Sequence, residues 1–172
     1  MDIRFIDAIL DVSFELMDEK DEEFKKEYRI LSDFEEDAVG QWLKLAKARG
    51  EARDSDEVLM RLLVELHAKI DTLTALVKNE TKELLDLKQK TKISGIGFEY
   101  IRIEDEILEK DKEYYCRIEM PIFPKRSMPI FVKALNQNSA KISLMHERDE
   151  KDWNSYVTAR ERVEIREKKE KN

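Results

Sequence analysis

One cysteine, two histidines, three prolines and four glycines in 172 residues exclude much of the usual chemistry of protein sites. Cys116 alone cannot close an intrachain disulfide, which points to a reducing compartment. It alternates with Tyr114, Ile118 and Met120 on one face of a predicted strand with no histidine nearby in sequence, so packing explains it better than nucleophilic catalysis. His67 and His146 lie far apart with no third donor clustered beside them, so no metal site is expected. No apolar run reaches the ~20 residues of a membrane span, and the start "MDIRFIDAIL" lacks a basic stretch followed by a clean apolar one. A cytoplasmic protein without membrane insertion is expected. No P-loop pattern occurs, and the glycine pair of "KISGIGF" follows a helical stretch and precedes a strand, the reverse of the order that aims a helix N-terminus at a pyrophosphate. No catalytic constellation stands out, so neither an enzyme nor a resident cofactor is expected.

Charge, by contrast, is abundant: Asp, Glu, Lys and Arg make up 41% of the chain, more than an ordinary globular domain carries, and this points to long solvated helices. Residues 1–57 hold 18 acidic and 9 basic side chains, a balance of −9, which leaves +2 for residues 58–172 of the overall −7. Neither part has the strongly basic balance of a phosphate-binding surface, so nucleic acid is not an expected partner.

Three regions follow along the chain. Residues 1–53 form an acidic, mainly helical region. In it "LDVSFEL" alternates Leu10, Val12, Phe14 and Leu16 with polar residues, the period of a strand over about 10–17, with a helix left open. A helix at about 34–49 has early acids, late bases, a packed Trp42 and Gly50 as its stop. Residues 54–90 read as one long helix with Asp54 or Ser55 as N-cap and Glu57 placed for a capping box. Leu63, Ile70, Val77 and Leu84 take the a positions of a heptad repeat, and Leu59, Leu66, Leu73, Glu80 and Leu87 take the d positions. β-branched residues at a with leucine at d favour parallel two-stranded coiled coils. Leu62 and Leu76 at g widen the stripe and leave a four-helix arrangement open. At about 1.5 Å per residue the helix would be roughly 50 Å long, so self-association through residues 54–90, as a dimer or tetramer, is expected.

From residue 92 the period changes from helix to strand. Strand-length segments "IGFEYI", "YYCRIEM", "PIFVKAL" and "SAKISLMH" are separated by turn-forming stretches, and a final helix from about 150 to 168 shows Trp153, Tyr156 and Val157 on one face. Over residues 92–168, the Ser94-x-x-Gly97 turn, an aromatic strand, "YYCRIEMPIF" ending in proline, two further strands and the Trp-x-x-Tyr-Val helix together resemble the PilZ domain family. The heptad stretch "LLVELHAKIDTLTALV" ahead of the turn is similar to the long helix of an atypical, oligomeric branch of that family.

The resemblance implies an α+β fold: a small antiparallel β-barrel closed by a C-terminal helix, behind the heptad helix and the acidic region. It also implies a place in bacterial signalling around motility, pili or flagella, and in many members a site for cyclic di-GMP. Lys92, Ser94 and Gly97 occupy the positions of the family's [DN]-x-S-x-x-G motif, but Lys92 replaces its Asp or Asn, and no arginine lies between Arg61 and Arg102 to supply its R-x-x-x-R pair. Lysine does not reproduce the guanidinium forks that grip phosphate and guanine. A scaffold that works by contact with itself and with other signalling or motility proteins is therefore the leading expectation. A cyclic di-GMP receptor with a diverged site, and a fixed part of a flagellar or pilus motor, are the alternatives.

Overall fold

A computed structural model describes residues 3–33, 38–51, 53–54, 56–77, 84–121 and 126–171. The chain divides into two compact units: Met1–Tyr28 together with Asp86–Asn172, and Arg29–Leu85.

The first unit is a closed antiparallel barrel of six strands: β1 (Ile6–Leu16), β2 (Gln89–Ile96), β3 (Tyr100–Ile103), β4 (Glu113–Met120), β5 (Arg126–Ala134) and β6 (Ser139–Leu144). Around the barrel they run β1-β2-β3-β6-β5-β4. The strand expected at 10–17 is thus β1, and it completes the barrel. It pairs with β2 along Phe14↔Gln89 to Ile6↔Ile96 and with β4 along Leu16↔Tyr114 to Val12↔Ile118. The alternation that marked it as a strand is the alternation of inside and outside: Ile6, Ala8, Leu10, Val12 and Phe14 are buried, and Ile9 faces out at 73% exposure. Cys116 points inward between Tyr114 and Ile118, and burial pushes its thiol well above the ordinary cysteine range, so it is a core side chain.

The segment "KISGIGF" is the bend of this barrel. Gly97 to Tyr100 form the turn between β2 and β3, with Gly97 N–H donating to the Tyr100 carbonyl at 2.8 Å, so Phe98 lies in a turn and not in a strand. Just before it the ladder slips on both sides of β2, between Asp7 and Leu10 on β1 and between Ile93 and Gly95 against β3. The C-terminal helix, Glu147–Glu170, here called α4, lays Trp153 and Val157 into the core with no exposure. The Trp153 indole N–H reaches the Gly97 carbonyl at 3.0 Å and the Phe98 carbonyl at 3.2 Å, so the helix is pinned to the turn.

A second cluster lies on the outside of the barrel, under helix α1 (Asp21–Asp33). Phe24 stacks on Tyr115 at 5.1 Å between centroids, and Tyr28 meets Phe131 at 5.1 Å and stacks on His146 at 3.7 Å. Glu27, only 6% exposed, accepts from Tyr115 OH at 2.8 Å and from Arg117 Nη1 at 2.7 Å. Burial first, and Glu27 second, drive the Tyr115 phenol well above its ordinary range, so it remains the donor. Burial, with Asp149 adding to it, pushes Tyr28 up to about 12.

The second unit holds α2 (Ala38–Ala48) and α3 (Glu57–Val77). The expected helix at 34–49 is α2, with residues 34–37 outside the described ones. Gly50, at φ +77°, ends it: Gly50 N–H bonds the Lys47 carbonyl and Glu51 N–H the Ala46 carbonyl, the paired bonds of a Schellman stop. Trp42 does not pack as expected and is 60% exposed. The N-cap of α3 is neither Asp54 nor Ser55, of which Ser55 is outside the described residues. It is Asp56, whose Oδ1 accepts from Val58 N–H at 2.9 Å and Leu59 N–H at 3.3 Å.

Removing Arg117 takes the guanidinium at 2.7 Å away from the buried Glu27 carboxylate. Arg117→Ala is expected to lower unfolding free energy by about 3 kcal/mol, read by urea denaturation, and Glu27→Leu with Arg117→Met to recover most of it.

Candidate functional site

Two surfaces answer to the sequence expectations, one on each unit. On the barrel, Lys92, Ser94 and Gly97 do not converge as one set of ligands. Lys92 is exposed opposite Asp11 of β1, and Gly97 is buried in the turn with its carbonyl taken by Trp153. Ser94, half-buried at the bulge of β2, accepts from Arg102 Nε at 3.4 Å and donates to the Arg102 carbonyl at 3.3 Å.

Arg102 is the residue that sequence reasoning missed. The search for an arginine pair ended at this position, whereas the β2–β3 hairpin folds it back over Ser94. Its guanidinium lies 4.9 Å from the centre of the Phe5 ring, with Nη2 3.7 Å from Asp7 Oδ1. Two more arginines reach the same strand start: Arg160 of α4 donates to the Asp7 carbonyl at 3.0 and 3.2 Å, and Arg4 pairs with Glu161 at 3.6 Å. Asp7 and Glu161 offset two of the three positive charges. Alongside runs an open groove of about 640 Å3 lined by Ile3, Phe5, Tyr100, Leu135, Asn136, Ser139 and Lys141. The Lys141 ammonium stands 5.9 Å from the Tyr100 ring centre. A flat π-system with an anionic group would find aromatic faces and cations here.

Gly95 shows how tightly this corner is built. A Cβ there would lie 2.9 Å from Arg102 Nη2 and 3.0 Å from Phe5 Cβ, while one on Gly97 would meet nothing nearer than 3.7 Å.

On the second unit, the heptad residues are uncovered. Leu59, Leu63, Leu66, Ile70, Leu73 and Val77 of α3 are exposed by 56, 51, 54, 51, 61 and 84%. The stripe ends sooner than the heptad register. Leu84 and Leu87 lie in a non-helical stretch ahead of β2, beyond the undescribed residues 78–83, which include Glu80. Leu87 is only 2% exposed, so it belongs to the packing of the barrel unit and not to the stripe. Of the better covered α3 residues, Val64, Glu65 and Ala68 lie on the side of the helix away from the stripe, and Met60 and His67 flank it. His67 pairs with Asp71 one turn on, at 3.2 Å, and His146 sits against Tyr28, with Nε2 3.0 Å from its carbonyl oxygen.

Among the described residues no three His, Cys, Asp or Glu side chains gather as a metal site, and no helix is long and apolar enough to cross a membrane. No protein-family model, curated protein or solved structure matches this chain.

Gly95→Ala must move Phe5 or Arg102 and is expected to cost about 1–3 kcal/mol. Gly97→Ala is expected to cost less than about 1 kcal/mol. Thermal melts of the two variants check this contrast.

Proposed function

We propose that the chain is a PilZ-like scaffold of bacterial signalling that assembles through α3 and presents its barrel to other proteins in motility, pilus or flagellar regulation in the cytoplasm. The observation that carries this reading is the stripe from Leu59 to Val77, apolar at heptad spacing and more than half exposed at each of its six a and d positions. A continuous apolar surface of this size on one face of a helix is rare on a monomer and marks an interaction site. The six-stranded barrel with its terminal helix supports the resemblance at the level of architecture, and the carboxylates Asp7 and Glu161 within the arginine cluster favour contact with proteins over capture of a free anion.

One observation favours a second reading, a cyclic di-GMP receptor with a diverged site: Arg102 over Phe5 and bonded to Ser94, beside a groove with aromatic walls. In this reading Arg102 stands in for the missing arginine pair, with Ser94 and Lys92 beside it.

For the scaffold, light scattering at micromolar concentration is expected to show an oligomer, and Leu66→Glu to convert it to a folded monomer. A wild-type monomer would remove the assembly half of the proposal. For the receptor, isothermal titration of cyclic di-GMP separates the readings: the scaffold predicts no heat, whereas the receptor predicts micromolar or tighter binding that Arg102→Ala weakens at least tenfold, about 1.4 kcal/mol.

A further inference from the structure

We infer that α2 lies in the surface of a lipid bilayer that carries anionic headgroups, with Trp42 and Leu45 entering the interface and Lys47 and Arg49 meeting lipid phosphate. The inference depends neither on the α3 stripe nor on the PilZ-like reading, and it accounts for a tryptophan that the fold leaves exposed.

The helix has a covered side and an open one. Ala46 is 5% exposed and Leu43 is half-buried, so part of the surface of α2 is already packed. Trp42 and Leu45, three residues apart and hence neighbours on the helix surface, are exposed by 60 and 56%. Tryptophan is highly buried on average, so this open face is an unusual one.

Charge decides what the face fits. Residues 38–50 contain Lys44, Lys47 and Arg49 and no acidic residue, in a chain of 39 acidic and 32 basic side chains. Arg49 is exposed, and its N–H still bonds the Leu45 carbonyl at 3.0 Å, so it continues the helix two turns after Trp42 on the same side. Lys47 stands about 140° round the helix from Trp42, on the polar side. Its contact with Glu57, 3.5 Å between exposed side chains, is of the weak kind that a lipid phosphate can replace. Glu51, just past the helix, offsets one of the three positive charges, and acids farther off than about 8 Å are largely screened at physiological salt. Tryptophan and leucine on one face, with lysine and arginine at its edge and back, is the composition of helices that lie along a membrane interface. There the indole sits at headgroup level and the long basic side chains reach phosphate.

Length sets the orientation. The 11 residues of α2, at about 1.5 Å each, make roughly 16 Å, about half of a hydrocarbon core of ~30 Å, so the helix lies along the surface and does not cross it. The consequence is recruitment: contact through one short face is reversible, and its strength follows the anionic lipid content of the membrane.

Fluorescence tests this, because the chain has two tryptophans and Trp153 is fully buried, so a change in emission on adding lipid reports Trp42. Vesicles of phosphatidylglycerol and phosphatidylcholine in equal parts, added to the full chain, are expected to shift the emission to shorter wavelength and shield it from acrylamide. Sedimentation with these vesicles is expected to weaken at least tenfold in Trp42→Ser and in the double variant Lys47→Glu, Arg49→Glu, with thermal melts unchanged because all three side chains are exposed. No shift on the anionic vesicles would overturn the inference. Equal sedimentation with phosphatidylcholine alone would also overturn it, since headgroup charge would then play no part. Binding that survives Trp42→Ser and is lost in Leu66→Glu would move the contact to α3 and refute the role of α2. A shift that grows with protein concentration in the absence of lipid would give the face to a second copy of the chain, and it too would overturn the inference.

Discussion

The pairing of β1 with both β2 and β4 is the contact on which the rest of the molecule depends. Without it the other five strands form an open sheet with two unpaired edges, and Leu10, Val12 and Phe14 leave the core. β1 must find β2 across an insertion running from residue 17 to residue 88. The entropy of closing so long a loop grows only with the logarithm of its length, so the ladder and the buried side chains have a modest penalty to overcome. Both ends of the insertion are tied at one place. Glu15, almost fully buried, is 3.6 Å from Lys20 Nζ and 3.5 Å from Lys88 Nζ, and accepts from Lys88 N–H. Leu87, buried one residue earlier, holds the return of the chain in the same way.

Closure also creates the outer surface on which α1 rests. Tyr115 and Phe131 point outward because their neighbours Cys116 and Ile130 point inward, and the outward rings receive Phe24 and Tyr28. The barrel therefore has two apolar layers, one inside and one under α1, with Glu27, Arg117 and the Tyr115 hydroxyl satisfying one another in the second. Among the described residues the inserted unit shows no comparable interior. Its two described helices leave Trp42, Leu45 and the whole α3 stripe exposed.

Each reading that failed did so for a physical reason. The alternations of Leu10 to Phe14 and of Tyr114 to Met120 identified strands because half-burial has a period of two, and the pattern survives whichever strand lies alongside. The heptad register was legible too, yet it ran on through Leu84 and Leu87, since spacing alone does not say where a helix stops and a barrel begins to claim the same leucines. Asp56, not Asp54 or Ser55, became the cap because one turn of registry decides which carboxylate meets the free N–H groups, and three polar candidates stood in a row. Arg102 was invisible as a site residue for a different reason: Phe5, Ser94 and Arg102 come from three separate segments, brought together only by the bulged corner of β2 and the hairpin that follows it.

By itself the sequence determined the period of each segment, the stop at Gly50, the burial of Cys116 and the apolar stripe of α3. All of these depend on neighbours a few residues away, where backbone geometry dictates which side chains share a face. Only the tertiary structure decided that β1 belongs to the barrel, that Trp153 plugs the β2–β3 turn, that Leu87 is core and Leu66 is surface, and that an arginine stands over Ser94. Those outcomes turn on contacts between residues tens of positions apart, and no local pattern encodes which of several equally apolar or equally charged side chains will meet.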